Sequence, residues 1–86
     1  MLYRARDSMQ LEMESPSFRN LYFDYKFVLR YVPAEKEWAV YRIFAETGRA
    51  TFAYYFKNYE DALRTFNRMC EQQGLDTSEI KRIRMV

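Results

Sequence analysis

The stretch "GRATFAYYFKNYEDALRTFNRM", residues 48–69, changes period halfway along. Up to Phe56 its apolar side chains alternate, which is the repeat of a strand with one buried face. From Tyr59 onward they recur at three and four positions. Tyr59, Ala62, Leu63, Phe66, Met69 and Cys70 then share one face of a helix. Asn58 stands between the two halves as the residue whose side chain caps the first free N–H groups, and Asp61 follows in the first turn, where an acid suits the helix dipole. Gly74 falls where a helix commonly closes on a left-handed residue, with Leu75 as its apolar cover. The stretch therefore predicts a strand running directly into a helix over 58–73.

Working outward, residues 21–32, "LYFDYKFVLRYV", alternate Leu21, Phe23, Tyr25, Phe27, Leu29 and Tyr31 against a face that holds Asp24, Lys26 and Arg30. "PAEK" (33–36) turns the chain, "EWAVYRIFAE" (37–46) forms a second strand, and "RATFAYYFK" (49–57) a third. "TG" at 47–48 is the expected tight hairpin between them. Before this meander lies an arm, residues 1–20. Its Met9, Leu11 and Met13 alternate like a strand, although Leu2, Ala5, Met9 and Met13 also fit a helical stripe. "SPSFRN" (15–20) reads as a loop broken by Pro16. After the helix, "DTSE" is expected to make one helical turn and residues 80–86, "IKRIRMV", a short strand. The fold class is α+β: a single domain, 1–86, with a three-stranded antiparallel meander over 21–57, raised to four or five strands by the termini, and one helix packed on one face.

Composition narrows the function classes. With 86 residues the chain is one domain, and 49% hydrophobic with 19% aromatic residues is too rich for disorder. The formal charge of +2 is far from that of a protein that coats DNA. One cysteine, Cys70, excludes an internal disulfide and fits a reducing, cytoplasmic setting. The charged start, "MLYRARDSMQLEME", predicts no signal peptide, and no run of about 20 uncharged residues predicts a membrane helix. With no histidine there is no imidazole base, no Ser-His or Cys-His nucleophile pair, and no ordinary zinc site. Two glycines leave no phosphate-cradling loop. Cys70 lies on the apolar helix stripe and reads as a small buried hydrophobe. The expectation is a protein without catalytic activity, cofactor or metal.

The register of the second hairpin decides which rings are core. A two-residue "TG" loop pairs Ile43 with Phe52, Tyr41 with Tyr54 and Ala39 with Phe56, and directly opposed residues share a face. Phe52, Tyr54 and Phe56 would then meet the helix. A three-residue loop would set Arg42 against Phe52 inside the core, a buried guanidinium that argues against that register. The opposite face would display Tyr22, Lys26, Arg30, Trp38, Arg42, Phe44, Tyr55 and Lys57, rings interleaved with cations. A solvated sheet face needs no such residues.

Several readings compete for that face. The N-terminal arm covers it, or two copies stack on it. Otherwise it binds another protein, since Trp, Tyr and Arg dominate interface hot spots. The protein would then be of adaptor or inhibitor type, of the sort phages and mobile elements often encode. The runner-up is single-stranded nucleic acid stacked on the rings, with Lys81, Arg82 and Arg84 as a secondary basic patch. The strand carrying Trp38, the "TGR" hairpin, the third strand and "FKNYEDALRTF" together resemble, over residues 37–73, the arm-binding domains of tyrosine-family integrases. That resemblance implies a three-stranded sheet entering the DNA major groove. The aromatic "ATFAYY" stands where a basic, glycine-rich strand is expected in that family, and no family is assigned on it.

Overall fold

The computed structural model describes residues 10–86. One helix packs on a six-stranded antiparallel sheet, so the class is α+β with more strands than the three to five expected. The strands are β1 (Leu11–Glu14), β2 (Phe18–Asn20), β3 (Phe23–Val32), β4 (Glu37–Phe44), β5 (Ala50–Phe56) and β6 (Lys81–Met85). The helix α1 spans Tyr59–Gln72 and a 3-10 turn spans Thr77–Glu79. The order across the sheet is β5-β4-β3-β1-β6, with β2 also paired to β3.

The arm reads differently from its expected loop. Residues 18–20 are a strand, and β1 and β2 lie end to end along one edge of β3. Pro16 breaks them apart because it has no N–H to donate. Ser15 holds the break in place: its N–H donates to the Phe27 carbonyl (2.9 Å) and its hydroxyl accepts from the Phe27 N–H (2.8 Å). The alternative helical stripe for the arm falls in part on residues 1–9, outside the described residues. Residues 21 and 22, expected to begin the first strand, are the turn between β2 and β3.

The helix forms as its sequence dictates. The Asn58 side chain accepts from the Asp61 N–H at 2.9 Å. At the other end Gly74 takes φ +69, the Leu75 N–H reaches the Cys70 carbonyl (3.0 Å) and the Gly74 N–H reaches that of Glu71 (2.9 Å). This is the paired closure a left-handed glycine permits. The buried face of α1 sets Phe66, Ala62 and Cys70 against Leu29, Val40 and Trp38. The Trp38 ring lies edge-on to Tyr59, 4.7 Å between centroids. Fully burying side chains such as Phe66, Leu29 and Val40 stabilises by roughly 1.5–3 kcal/mol each. The Tyr59 hydroxyl accepts from the Leu11 N–H at 3.2 Å and ties β1 to the helix.

The register of β4 and β5 overturns the one expected. Ala45 to Gly48 form the hairpin loop, closed by hydrogen bonds from the Phe44 N–H to the Arg49 carbonyl (3.0 Å) and from the Gly48 N–H to the Phe44 carbonyl (2.8 Å). At the loop, Ile43 pairs with Ala50. One residue later the ladder shifts, and Arg42 pairs with Phe52, Val40 with Tyr54 and Trp38 with Phe56. Thr51 is the extra residue of a β-bulge, and one inserted residue reverses which face every later side chain takes. Trp38, Val40, Arg42 and Phe44 therefore share the helix side with Phe52, Tyr54 and Phe56. Ala39, Tyr41, Ile43, Ala53 and Tyr55 take the outer side.

Candidate functional site

Helix and sheet differ in length. Fourteen helical residues span about 21 Å, and the ten residues of β3 about 33 Å. The helix therefore covers the half of the sheet that carries Trp38 and Val40 and stops short of the other. Met69, Gln72 and Gln73 at its C-terminal end border a cleft whose far wall is Phe18, Phe27, Arg42, Phe52 and Tyr54. Beyond that border the strands keep alternating, and among the described residues no helix lies above their helix-side residues.

Those residues form a continuous array. Phe23 lies 5.3 Å from Phe44, Phe44 stacks on Tyr25 at 5.4 Å, and Phe18 joins Tyr25 at 6.0 Å. Arg42 extends the array across the strands, its guanidinium carbon 4.2 Å from the centre of the Tyr25 ring and 4.9 Å from that of Phe52. Phe52 continues it to Tyr54 at 5.2 Å. Arg42 is thus not the unpaired buried cation that argued against this register. It is half-buried between two aromatic faces, which attract a cation, and its Nε donates to the Thr51 hydroxyl at 2.8 Å. That hydroxyl in turn donates to the Arg42 carbonyl at 3.2 Å. The bulge that reversed the register supplies the polar partner that makes the reversal tolerable.

At one end of the array the β2–β3 turn projects. Asn20 pairs with Phe23, so Leu21 and Tyr22 alone make the loop. Each is 82% exposed, and Phe23 is 53% exposed. Leu21 adopts φ 61, a left-handed conformation that costs a residue with a Cβ about 1–2 kcal/mol. Turns of this length favour Asn-Gly for that reason. Between this tip and the β4–β5 loop opens a cleft of about 610 Å³, walled by Tyr22, Phe23 and Phe44 with Arg19, Asp24, Glu46 and Arg49 at its margins. Arg19 is held by Asp24 at 3.1 Å.

The face expected to act as one platform is divided between two sides. Trp38 is 3% exposed and belongs to the core under α1. Arg42 and Phe44 lie on the helix side in the aromatic array, and Phe44 shares the cleft at the tip with Tyr22. Lys26, Arg30, Tyr55 and Lys57 lie on the outer side or its margin. There Tyr55 meets Tyr41 edge-on at 6.5 Å, and burial together with Tyr55 raises the Tyr41 hydroxyl above its ordinary pKa. The outer cations are mostly neutralised: Lys26 by Glu14 at 2.7 Å and Lys57 by Glu37 at 3.1 Å. In the secondary patch, Arg84 is bound to Glu12 at 2.8 Å, while Lys81 and Arg82 project from the exposed strand β6.

Glu12 is a structural tie between three strands. Its side chain is 5% exposed, and it accepts from the Tyr31 N–H (3.0 Å) as well as from Arg84. Burial raises its pKa, but the hydrogen bonds from Arg84 and from the Tyr31 N–H, with the charges of Arg84 and Arg30, outweigh that and leave it below the ordinary value. Burial pushes the Cys70 thiol up to about 11, which makes it a poor nucleophile. No cluster of three or more His, Cys, Asp or Glu able to hold a metal occurs among the described residues. No helix among them is long and apolar enough to cross a membrane.

Leu21, Phe23, Phe52 and Tyr54 belong to the array, and sequence reasoning assigned them to strand or core. One local signal was present: Leu21, Tyr22 and Phe23 are three consecutive large apolar residues, which a strand buried on one face does not need. The chain matches no protein-family model, no curated protein and no solved structure.

Proposed function

We propose that the protein is a small, non-catalytic domain that binds another protein through the aromatic surface beyond the end of α1. The observation that carries this is the unbroken line of rings from Phe23 through Phe44, Tyr25, Arg42 and Phe52 to Tyr54, open at both ends. Tyr, Phe and Arg in one exposed cluster are what the centre of a protein interface uses. The strained turn strengthens the reading. An exposed apolar dipeptide whose first residue, Leu21, is held at a left-handed angle opposes stability twice, and such outliers cluster where function requires them. Charge favours protein over nucleic acid: near the array Arg19 is paired with Asp24, Glu46 lines the same cleft as Arg49, and Arg42 is engaged by two rings. That balance lacks the cationic track along which single strands bind. A reducing, cytoplasmic setting suits the single buried thiol, and an adaptor or inhibitor role suits a domain of this size.

A photo-crosslinking side chain at Tyr22 tests the reading. The expected outcome is capture of a protein, lost in the Phe23→Ala variant and retained in Arg64→Ala on the exposed side of α1. Equal capture by all three would overturn it. Capture of nucleic acid, weakening steeply and log-linearly with salt, would replace it with the alternative.

A further inference from the structure

The two edges of the sheet are built differently. Strand β6 carries Lys81, Arg82 and Arg84 within five residues, and cations on an edge oppose pairing with another strand. Strand β5, "ATFAYYF", has no charge, no proline and no glycine. Tyr54 and Tyr55 point to opposite sides of the sheet and are 51% and 55% exposed. Among the described residues no strand pairs with the outer side of β5. Such an edge is a template for another strand.

We propose that β5 pairs antiparallel with β5 of a second copy about a two-fold axis through Tyr54, which joins the two sheets into one. The absence of charge admits an identical partner, whereas the cations of β6 would repel a copy of themselves. The ends of the strand select the register. The bulge at Thr51 and the cation Lys57 limit the regular segment to Phe52–Phe56, whose centre is Tyr54. About that axis Ala53 meets Tyr55 of the second copy, small against large, on the outer side, and Phe52 meets Phe56 on the helix side. An axis through Ala53 would draw the bulged Thr51 into the ladder opposite Tyr55 of the second copy, and one through Tyr55 would draw in Lys57 opposite Ala53. Five residues from each copy make a small interface, so the dimer is weak and concentration-dependent. The dimer axis passes through Tyr54, the last ring of the aromatic array, while Tyr22 lies at the array's other end in the turn between β2 and β3, so a variant there separates dimer formation from partner binding.

Mass measured by sedimentation over a series up to about 500 μM reaches the range where a weak homodimer shows itself. The expected result is a twofold rise in mass for the wild type and for Tyr22→Ala, and none for Tyr54→Lys, which puts two cations on the axis. Tyr54→Cys is expected to give a disulfide-linked dimer on mild oxidation, with Cys70 inert in the core. If Tyr54→Lys fails to fold, the Tyr54→Cys dimer and slower amide exchange in β5 at high concentration carry the test. A wild type monomeric throughout, a folded Tyr54→Lys that still dimerises, or no Tyr54→Cys dimer would overturn the proposal.

Discussion

The helix side of the sheet has two halves made from the same strands. In one, Leu29, Val40 and Trp38 lie under α1 and are buried to within 3%. In the other, Arg42, Phe44 and Phe52 continue the same alternation but are only half-buried, with Tyr25 buried among them. Nothing in the local pattern separates the halves. The difference is what lies above them: α1 closes at Gly74, and the sheet goes on. A strand pattern states which residues share a side, and it takes the length and placement of the covering element to make that side core or surface.

The largest effect is expected where the halves differ most in burial. Trp38→Ala should lower stability by about 3–5 kcal/mol, because it leaves a cavity between sheet and helix. Phe23→Ala, at the open end, should lower it by less than about 1 kcal/mol. Thermal or urea unfolding of the two variants checks the contrast, and equal losses would show that the open end is packed like the core.

Arg42 stands at the boundary between the halves. Arg42→Ala is expected to cost about 1–2 kcal/mol through lost ring contacts and the lost Thr51 hydrogen bond. Arg42→Met, which keeps much of the packing, should cost less. If the methionine variant is the less stable of the two, the guanidinium rather than its stem holds the rings together.

A smaller effect concerns the end of the sheet beyond both halves, where Glu12 ties β1 to β3 and β6. Its folded-state pKa is below the ordinary value of 4.5, so on acidification the unfolded chain takes up that proton first. The stabilisation is complete above the ordinary carboxylate range and is lost as pH falls through the folded value. Glu12→Gln should cost about 1 kcal/mol at neutral pH, since Arg84 is largely exposed, and should flatten the acid limb of the stability profile. An acid limb unchanged in the variant would assign the loss to other carboxylates.

The place of the candidate site was only partly legible. Of the residues singled out from the sequence, Tyr22 and Phe44 border one cleft and Arg42 lies on the far side of Tyr25 from Phe44, but Trp38, the ring expected to anchor them, is core. The error traces to one residue. Thr51 is an ordinary strand residue in any sequence window, yet as a bulge it reverses the parity of everything beyond it. The argument against burying Arg42 was physically sound for an unpaired guanidinium. It failed because the stacking partners come from β3 and β5 and the hydroxyl from the bulge itself.

The sequence by itself determined three of the elements: β3 by its alternation, α1 by Asn58, its apolar stripe and Gly74, and the terminal strand by the segment "IKRIRMV". These depend on interactions between neighbours a few residues apart. Tertiary structure alone decided the register of β4 on β5, the joining of β1 and β6 into the sheet, and the point where cover ends. Those outcomes depend on contacts between residues distant in sequence, such as Glu12 with Arg84 and Arg42 with Tyr25, whose energies no local window contains.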